Sequence, residues 1–208
     1  LPPVPQLESA RLLLRPWRAT DVADYAPIIG DREVMRFMGS GRRYRVKRAG
    51  AQLIARFSDV EARRALAALE RHWERHGYGE WAMEEKDTGQ LIGRVGFVHH
   101  ADWPAGPVKI EIGWTLARSA WGKGLATEGA RTALDHAFGP LAIERVISIA
   151  HHDNVRSQRV MERLGMQQQG KVRWRGGDMI WTAIDREAWL AASSTTRPVS
   201  AVTPTSSR

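Results

Sequence analysis

The sequence predicts an α+β chain whose middle is organised as α/β, built as one domain. Three observations predict it. Apolar residues recur at helical spacing through Ala62, Leu66, Leu69 and Trp73, and from Gly79 onward the period changes to that of strands. The run Lys109–Leu116 reads as a strand that passes through a glycine turn, Trp121-Gly122-Lys123-Gly124, straight into a helix. A second strand and helix follow, Arg145–Ala150 and Asn154–Leu164.

The elements fall out in order. Leu1–Gln6 carries three prolines and should be an extended arm. Leu12-Leu13-Leu14 between Arg11 and Arg15 is a short strand stopped by Pro16. Thr20 or Asp21 can cap a helix bearing Val22, Tyr25, Ala26 and Ile29, shortened or kinked by Pro27, and Asp31–Met38 reads as a second short helix. Gly39–Gly50 is basic and bounded by glycines, which suits a mobile, solvated loop more than a binding element. Ser58-Asp59-Val60-Glu61 is a capping box, predicting a helix from there to about His76, ended by Gly77. Trp81 with Met83, and then Leu91–Val98, read as two strands joined by a hairpin turn at Lys86-Asp87-Thr88-Gly89. Asp102–Pro107 is a loop ahead of the Lys109 strand. After the second helix, Met166–Val172 and Met179–Ile184 form another hairpin around Gly176-Gly177, and a short helical turn takes in Arg186–Leu190. Residues 1–192 are expected to form the domain, and 193–208, rich in Ser, Thr and Pro, a disordered tail.

Composition narrows the classes. A hydrophobic share of 43% over 208 residues supports a sizeable single core. Without cysteine there are no disulfides, zinc–thiolate sites or thiol nucleophiles, which suits a cytoplasmic protein. No apolar run approaches the roughly 18 residues that a membrane span needs. The formal charge of +8 favours anionic partners, yet the arginines are scattered, and no zinc finger, RRM signature or basic zipper is present.

The glycine turn points to chemistry. Gly124 has no side chain, so its N–H can approach a bulky anion, and the helix from Leu125 aims free N–H groups and its positive dipole end at the same place. Lys123 adds a mobile charge. As a dinucleotide fingerprint the turn fails, because Thr127 stands where the third glycine belongs, and as a P-loop it lacks the upstream glycine. Alone it is equally an ordinary turn before a helix. Its neighbours say more. Ala126, Gly129, Ala130, Ala133 and Ala137 make a face that can lie close on a sheet, and Asn154-Val155-Arg156-Ser157 opens a second helix closed by Gly165.

These residues resemble the GNAT superfamily of N-acetyltransferases, in particular its RimJ/RimL-like branch, the ribosomal-protein alanine acetyltransferases. The resemblance rests on Arg11–Trp17, Glu111-Ile112-Gly113-Trp114, Trp121-Gly122-Lys123-Gly124-Leu125-Ala126-Thr127-Glu128, Asn154 with Ser157, and Glu162-Arg163-Leu164-Gly165-Met166. It spans about Leu7–Ile184 and is weak from Gly39 to Phe57. The superfamily's acetyl-CoA signature is Q/R-x-x-G-x-G/A. Here Trp121 replaces the Gln or Arg, as in the RimJ/RimL-like branch, Gly124 is the fixed glycine, and Ala126 ends the motif.

The resemblance implies a layered α/β/α fold: a mixed, mostly antiparallel sheet, splayed at its centre and flanked by helices. It implies acetyl-CoA as cosubstrate, with no metal. The pyrophosphate would lie on the backbone of Trp121, Gly122, Lys123, Gly124, Leu125 and Ala126. The pantetheine arm would enter the splay along Trp114, Thr115 and Leu116, with Asn154 a further contact. An amine would then attack the thioester directly.

That chemistry needs a carboxylate to take the ammonium proton, a donor for the departing thiolate and an aimed N–H for the oxyanion. Glu111 fits the base: Ile110, Ile112 and Trp114 share one strand face, leaving Glu111 on the other beside Gly113, which permits close ligand approach. Read without the resemblance, it is a carboxylate on a solvated strand face. Glu80 and Glu84 stand in reserve. Ser157 fits the donor, though a serine in a first helical turn equally serves local hydrogen bonding. Asn154 can cap its helix, contact the cofactor, or both.

Other constellations carry less. His72 and His76 stand four apart without the H-E-x-x-H pattern and read as a surface pair. His99-His100 and His151-His152 should diverge if they lie in strands, and one of each could line the cleft. Of nine tryptophans, Trp103 and Trp174 fall in expected loops and could touch substrate. The expected activity is acetyl transfer from acetyl-CoA to a primary amine. The acceptor is a peptide or protein N-terminus or, alternatively, a small amine such as an antibiotic, polyamine or amino-acid derivative. A non-catalytic basic module for RNA or a ribosome surface is the non-enzyme alternative, and homodimerisation is left open.

Overall fold

The computed structural model describes residues 3–38 and 51–196. The strands are β1 (Leu7–Glu8), β2 (Leu12–Arg15), β3 (Glu80–Glu85), β4 (Gln90–His99), β5 (Ile110–Leu116), β6 (Arg145–His151), β7 (Gln167–Trp174) and β8 (Gly177–Asp185). The helices are α1 (Asp21–Gly30), α2 (Ala51–His76), α3 (Leu125–Phe138), α4 (Val155–Arg163) and α5 (Arg186–Thr196). One sheet runs in the order β1-β2-β3-β4-β5-β6-β8-β7. Every neighbouring pair is antiparallel except β5 and β6, which are parallel and meet at a single register point, Glu111 opposite Ile147. The mixed, mostly antiparallel sheet expected from the resemblance is therefore present, with its split between those two strands.

Alternation sorts the side chains into layers. Leu12, Leu14, Trp81, Met83, Val95, Phe97 and Ile112 point to the face covered by α3 and join Ala130, Ala133, Leu134 and Ala137 in the main core. Gly129 shows why α3 needs small residues: a Cβ there would stand 2.7 Å from Met83 Cε. On the opposite face Val22, Tyr25, Ala26 and Ile29 of α1 pack with Ala62 and Leu66 of α2 over Ala82 and Leu91. Trp103 is 2% exposed and packs with Ile147 and Ala183, so it is a core residue and not the substrate-touching loop tryptophan expected.

Four local expectations change, each because a side-chain partner or a longer run of helix formers outweighs the local signal. The Asp31–Met38 segment is a series of turns, with Asp31 Oδ1 accepting the Glu33 and Val34 N–H groups at 2.8 and 3.3 Å, the local bonding by which Asp competes with a helix. The helix placed at Ser58 begins at Ala51, since the residues before the capping box also favour helix. Thr20 is the N-cap of α1 but makes no capping bond. Asp21 is the engaged residue, accepting the Arg18 N–H at 2.7 Å and both terminal nitrogens of Arg15 at 2.8 Å. The C-terminal helix continues to Thr196, into the segment expected as tail. The loop expectation for Gly39–Gly50 and most of that for the tail fall outside the described residues. Among the described residues, no helix is long and apolar enough to cross a membrane.

Arg15 and Asp21 are each 3% exposed, and Arg15 Nε also donates to Glu84 Oε2 at 2.7 Å. This ties β2, α1 and β3 together and accounts for Glu84 as a structural carboxylate. Asp21→Ala strands a buried guanidinium short of one partner. It should cost about 3–5 kcal/mol of unfolding free energy, read by urea denaturation.

His72 and His76 are not a bland surface pair. Their rings lie 4.5 Å apart, His76 stacks on His99 at 4.9 Å, and His72 Nε2 is buried with no hydrogen-bond partner among the described residues. Burial, reinforced by repulsion from His76, His99, His100 and Arg75, pushes the His72 pKa down to about 4 from an ordinary 6.5. Between those values the unfolded chain binds the proton and the folded chain does not, so stability falls as pH drops from about 6.5 to about 4. In pH-dependent denaturation, His72→Phe should flatten that loss.

Candidate active site

The site is assembled at the split. A parallel ladder would continue past Glu111 and Ile147, but here the two strands part and side chains take over the backbone partners. Ser148 Oγ, 1% exposed, donates to the Ile112 carbonyl at 2.9 Å. The Ile149 N–H donates to Glu111 Oε1 at 3.2 Å. Glu111 thus sits at the closed end of the gap, held from the β6 side, on the sheet face it shares with Gly113 and Thr115. Among the described residues no atom lies within 4 Å of where a Gly113 Cβ would be, which leaves open space beside the carboxylate.

Of the adjacent pair His99-His100, His100 is the one that reaches the carboxylate, a role that its sequence neighbours do not reveal. It lies one residue past β4, and its Nε2 meets Glu111 Oε2. On the same face Arg94 Nη1 donates to Glu80 Oε2. Burial pushes the Glu80 carboxyl above its ordinary range. The Arg94 guanidinium opposes that shift and the Glu111 charge reinforces it. Strand register brings these four together: Glu80, Gly96 and Gly113 lie in one row across β3, β4 and β5, with Arg94 and Glu111 in the flanking rows.

The glycine turn forms the second component. Gly122 and Gly124 have φ of +76° and +80°, and Gly124 is the N-cap of α3 with no side chain on its free N–H groups. Trp121 is pinned by its own indole, which donates to the Leu116 carbonyl at 2.9 Å and so ties the turn to the end of β5. The same ring carries the Arg156 guanidinium at 4.4 Å, joining the turn to α4.

From the other side, Arg11 braces the turn. Its Nη1 donates to the Lys123 carbonyl at 2.9 Å, and its backbone N–H and Nε donate to Glu128 at 2.8 and 2.7 Å. Burial works against the Glu128 charge, but the Arg11 N–H, the Ser9 hydroxyl and the Arg11 guanidinium outweigh it and hold that carboxyl below its ordinary range. A carboxylate in the first turn of α3 would repel an anion at the helix end, and Arg11 neutralises it there.

Asn154 and Ser157 open α4 and bond each other. Asn154 Oδ1 accepts the Ser157 N–H at 3.3 Å, and Asn154 Nδ2 donates to Ser157 Oγ at 3.2 Å. The capping reading of Asn154 therefore holds, and the Ser157 hydroxyl hydrogen is left to donate elsewhere. A cleft of about 490 Å³ between the end of α1, the turn and α4 is lined by Asp31, Glu33, Arg118, Ser119, Trp121 and Arg156.

His151 and His152 do not diverge. β6 ends at His151, and the two rings lie 4.4 Å apart. With Asp153 they form the one group of three metal-type donors among the described residues. These groups already serve one another: the Asp153 N–H donates to His151 Nδ1 at 3.2 Å, and Asp153 Oδ1 faces His152 Nε2 at 3.1 Å.

A Cβ on Gly124 would meet only Arg11 Nη2, at 3.6 Å, so substitution there is opposed by backbone conformation and not by crowding. Gly124→Val should lower stability by about 1–2 kcal/mol in chemical denaturation.

The family profile described as an acetyltransferase (GNAT) domain matches residues 11–167. Among curated proteins, YoaA of Bacillus subtilis (strain 168), described as an uncharacterized N-acetyltransferase, is 27% identical over 169 residues, covering 81% of this chain and 86% of its own length. An acetyltransferase from Agrobacterium tumefaciens str. C58 superposes with a TM-score of 0.67 at 24% identity, covering 87% of this chain and 94% of that one. The ribosomal-protein-S5-alanine acetyltransferase of Vibrio fischeri gives 0.63 at 16% identity, covering 89% and 99%. At those identities the two structures share the fold alone with this chain. With a splayed mixed sheet, a glycine turn at the head of α3 and a family match across most of its length, the chain belongs to the GNAT family of N-acetyltransferases.

Proposed function

We propose that this protein transfers acetyl from acetyl-CoA to a primary amine by direct attack, with Glu111 as general base and Ser157 as hydrogen-bond donor to the leaving sulfur. The observation that carries the proposal is the Glu111 carboxylate at the closed end of the β5–β6 split, with the glycine turn on one bank and Asn154 with Ser157 on the other. The turn suits the cosubstrate. Its two left-handed glycines present backbone without side chains, the α3 N-terminus is free of a side-chain cap, and Lys123 supplies positive charge. Trp121, Gly122, Lys123, Gly124, Leu125 and Ala126 would hold the pyrophosphate, and the backbone of Trp114 and Thr115 would border the pantetheine arm. Leu116 already gives its carbonyl to Trp121, so its part in that border is smaller.

Acetyl-CoA supplies the thioester. Glu111 removes a proton from the acceptor ammonium, directly or through water. The freed amine forms the C–N bond as the C–S bond breaks, its remaining excess proton passes to the departing sulfur to give the CoA thiol, and Glu111 returns its proton to solvent. Ser157 hydrogen-bonds the departing thiolate, which suits a hydroxyl too weak as an acid to give up its proton. For the acceptor we propose a peptide or protein N-terminal α-amine. Support comes from the fold shared with the ribosomal-protein-S5-alanine acetyltransferase of Vibrio fischeri.

The test is thiol release from acetyl-CoA with short peptides and small amines offered in parallel. Glu111→Gln should lower kcat by roughly 10²-fold or more while leaving the KM for acetyl-CoA nearly unchanged. Unchanged turnover would remove Glu111 from the base role, and turnover of small amines alone would remove the peptide acceptor.

A further inference from the structure

We infer that His100 is the positioning residue for the Glu111 carboxylate, fixing the orientation in which it faces the acceptor amine; this rests on reading Glu111 as the base. An ionised carboxylate only accepts hydrogen bonds, so the proton between His100 and Glu111 belongs to His100 Nε2. Glu111 then receives one donor on each oxygen, from opposite sides of the split. Ile149 N–H comes from β6 to Oε1, and His100 Nε2–H comes from the end of β4 to Oε2. A carboxylate offers about four acceptor positions, so two stay open for the proton it must take.

The last torsion of a glutamate is soft and roughly two-fold, and a free Glu111 would sample many orientations. Two donors anchored in different strands restrict it to one. His100 can serve because it is itself held. It is 7% exposed, its backbone N–H donates to the Lys109 carbonyl at 2.9 Å, and its carbonyl accepts the Trp103 N–H at 3.1 Å. Its ring lies edge-on to Trp174 at 4.9 Å. Trp174 is fixed in turn by donating to Asp102 at 3.2 Å, and the Arg175 guanidinium clamps the same Asp102 with two bonds of 2.8 and 3.1 Å. The β7–β8 hairpin and the loop before β5 therefore brace the imidazole, and the imidazole braces the base.

Three substitutions separate this role from simple packing. Glutamine can place its amide nitrogen where Nε2 stands and still donate, asparagine is too short to reach, and leucine fills the space without donating. His100→Leu and His100→Asn should each lower kcat about tenfold or more, the worth of one hydrogen bond to a charged group, with the KM for acetyl-CoA within about twofold of wild type. His100→Gln should recover most of the lost turnover. Thermal melts with and without CoA report whether each variant folds, and if the leucine variant does not, the Asn and Gln pair decides. Equal turnover in Gln and Asn variants, or wild-type turnover in Asn or Leu, overturns the positioning role. Glu111→Gln is measured alongside. If it alone keeps wild-type turnover, the base assignment fails, whereas a fall in Glu111→Gln with normal turnover in His100→Leu defeats only the inference about His100.

Discussion

The structure depends on one break in its hydrogen bonding. An eight-stranded sheet that paired fully would bury its backbone groups everywhere and leave no place for a reaction. Here the single parallel pair, β5 with β6, is joined only at Glu111 and Ile147, and beyond that point the strands separate. Separating them leaves buried amides and carbonyls without ladder partners, a cost no fold tolerates unless other groups take their place. Ser148 and Glu111 take it, one donating to a carbonyl and the other accepting an amide. The same substitution that keeps the split stable therefore places a carboxylate at its closed end.

Everything around the split keeps its two banks in register. Trp121 ties the glycine turn to the end of β5 and carries Arg156 of α4 on its ring, so one side chain joins three parts of the site. Arg11 reaches the turn from the residue before β2 and cancels the first-turn carboxylate of α3. Arg15 locks β2 to α1 and β3 through Asp21 and Glu84, fixing the strand that follows Arg11. Arg11 and Arg15 stand either side of Leu12 and Leu14, which belong to the main core. The short apolar run between two arginines thus links the packing of the sheet to the charge around the glycine turn.

Much of this was legible in the residues. The strands and the α3 and α4 helices follow from period and from turn glycines, and the glycine turn, Glu111 and Asn154 with Ser157 stood out by type and spacing. What failed locally failed for one reason: a side chain found a partner that sequence neighbours do not reveal. Asp31 turned the expected short helix into turns by bonding nearby amides, and Asp21 is engaged by Arg15 and the Arg18 N–H rather than capping α1. Trp103 looked like a loop residue available to substrate, but it lies buried under the second half of the sheet. His72 and His76 looked solvated because helical spacing says nothing about what packs on a helix, and His99 and Tyr78 pack there.

The sequence by itself determined the class of the fold, the helix end that can receive an anion and the strand that carries the carboxylate, because each is written in period, glycine placement and residue type within about ten positions. The tertiary structure alone decided what that carboxylate can do. His100 lies 11 residues from Glu111 in the chain and Ile149 lies 38 away, yet each supplies one donor to it. Partners of that kind are set by strand register and by where two strands stop pairing, and neither is encoded in any local window.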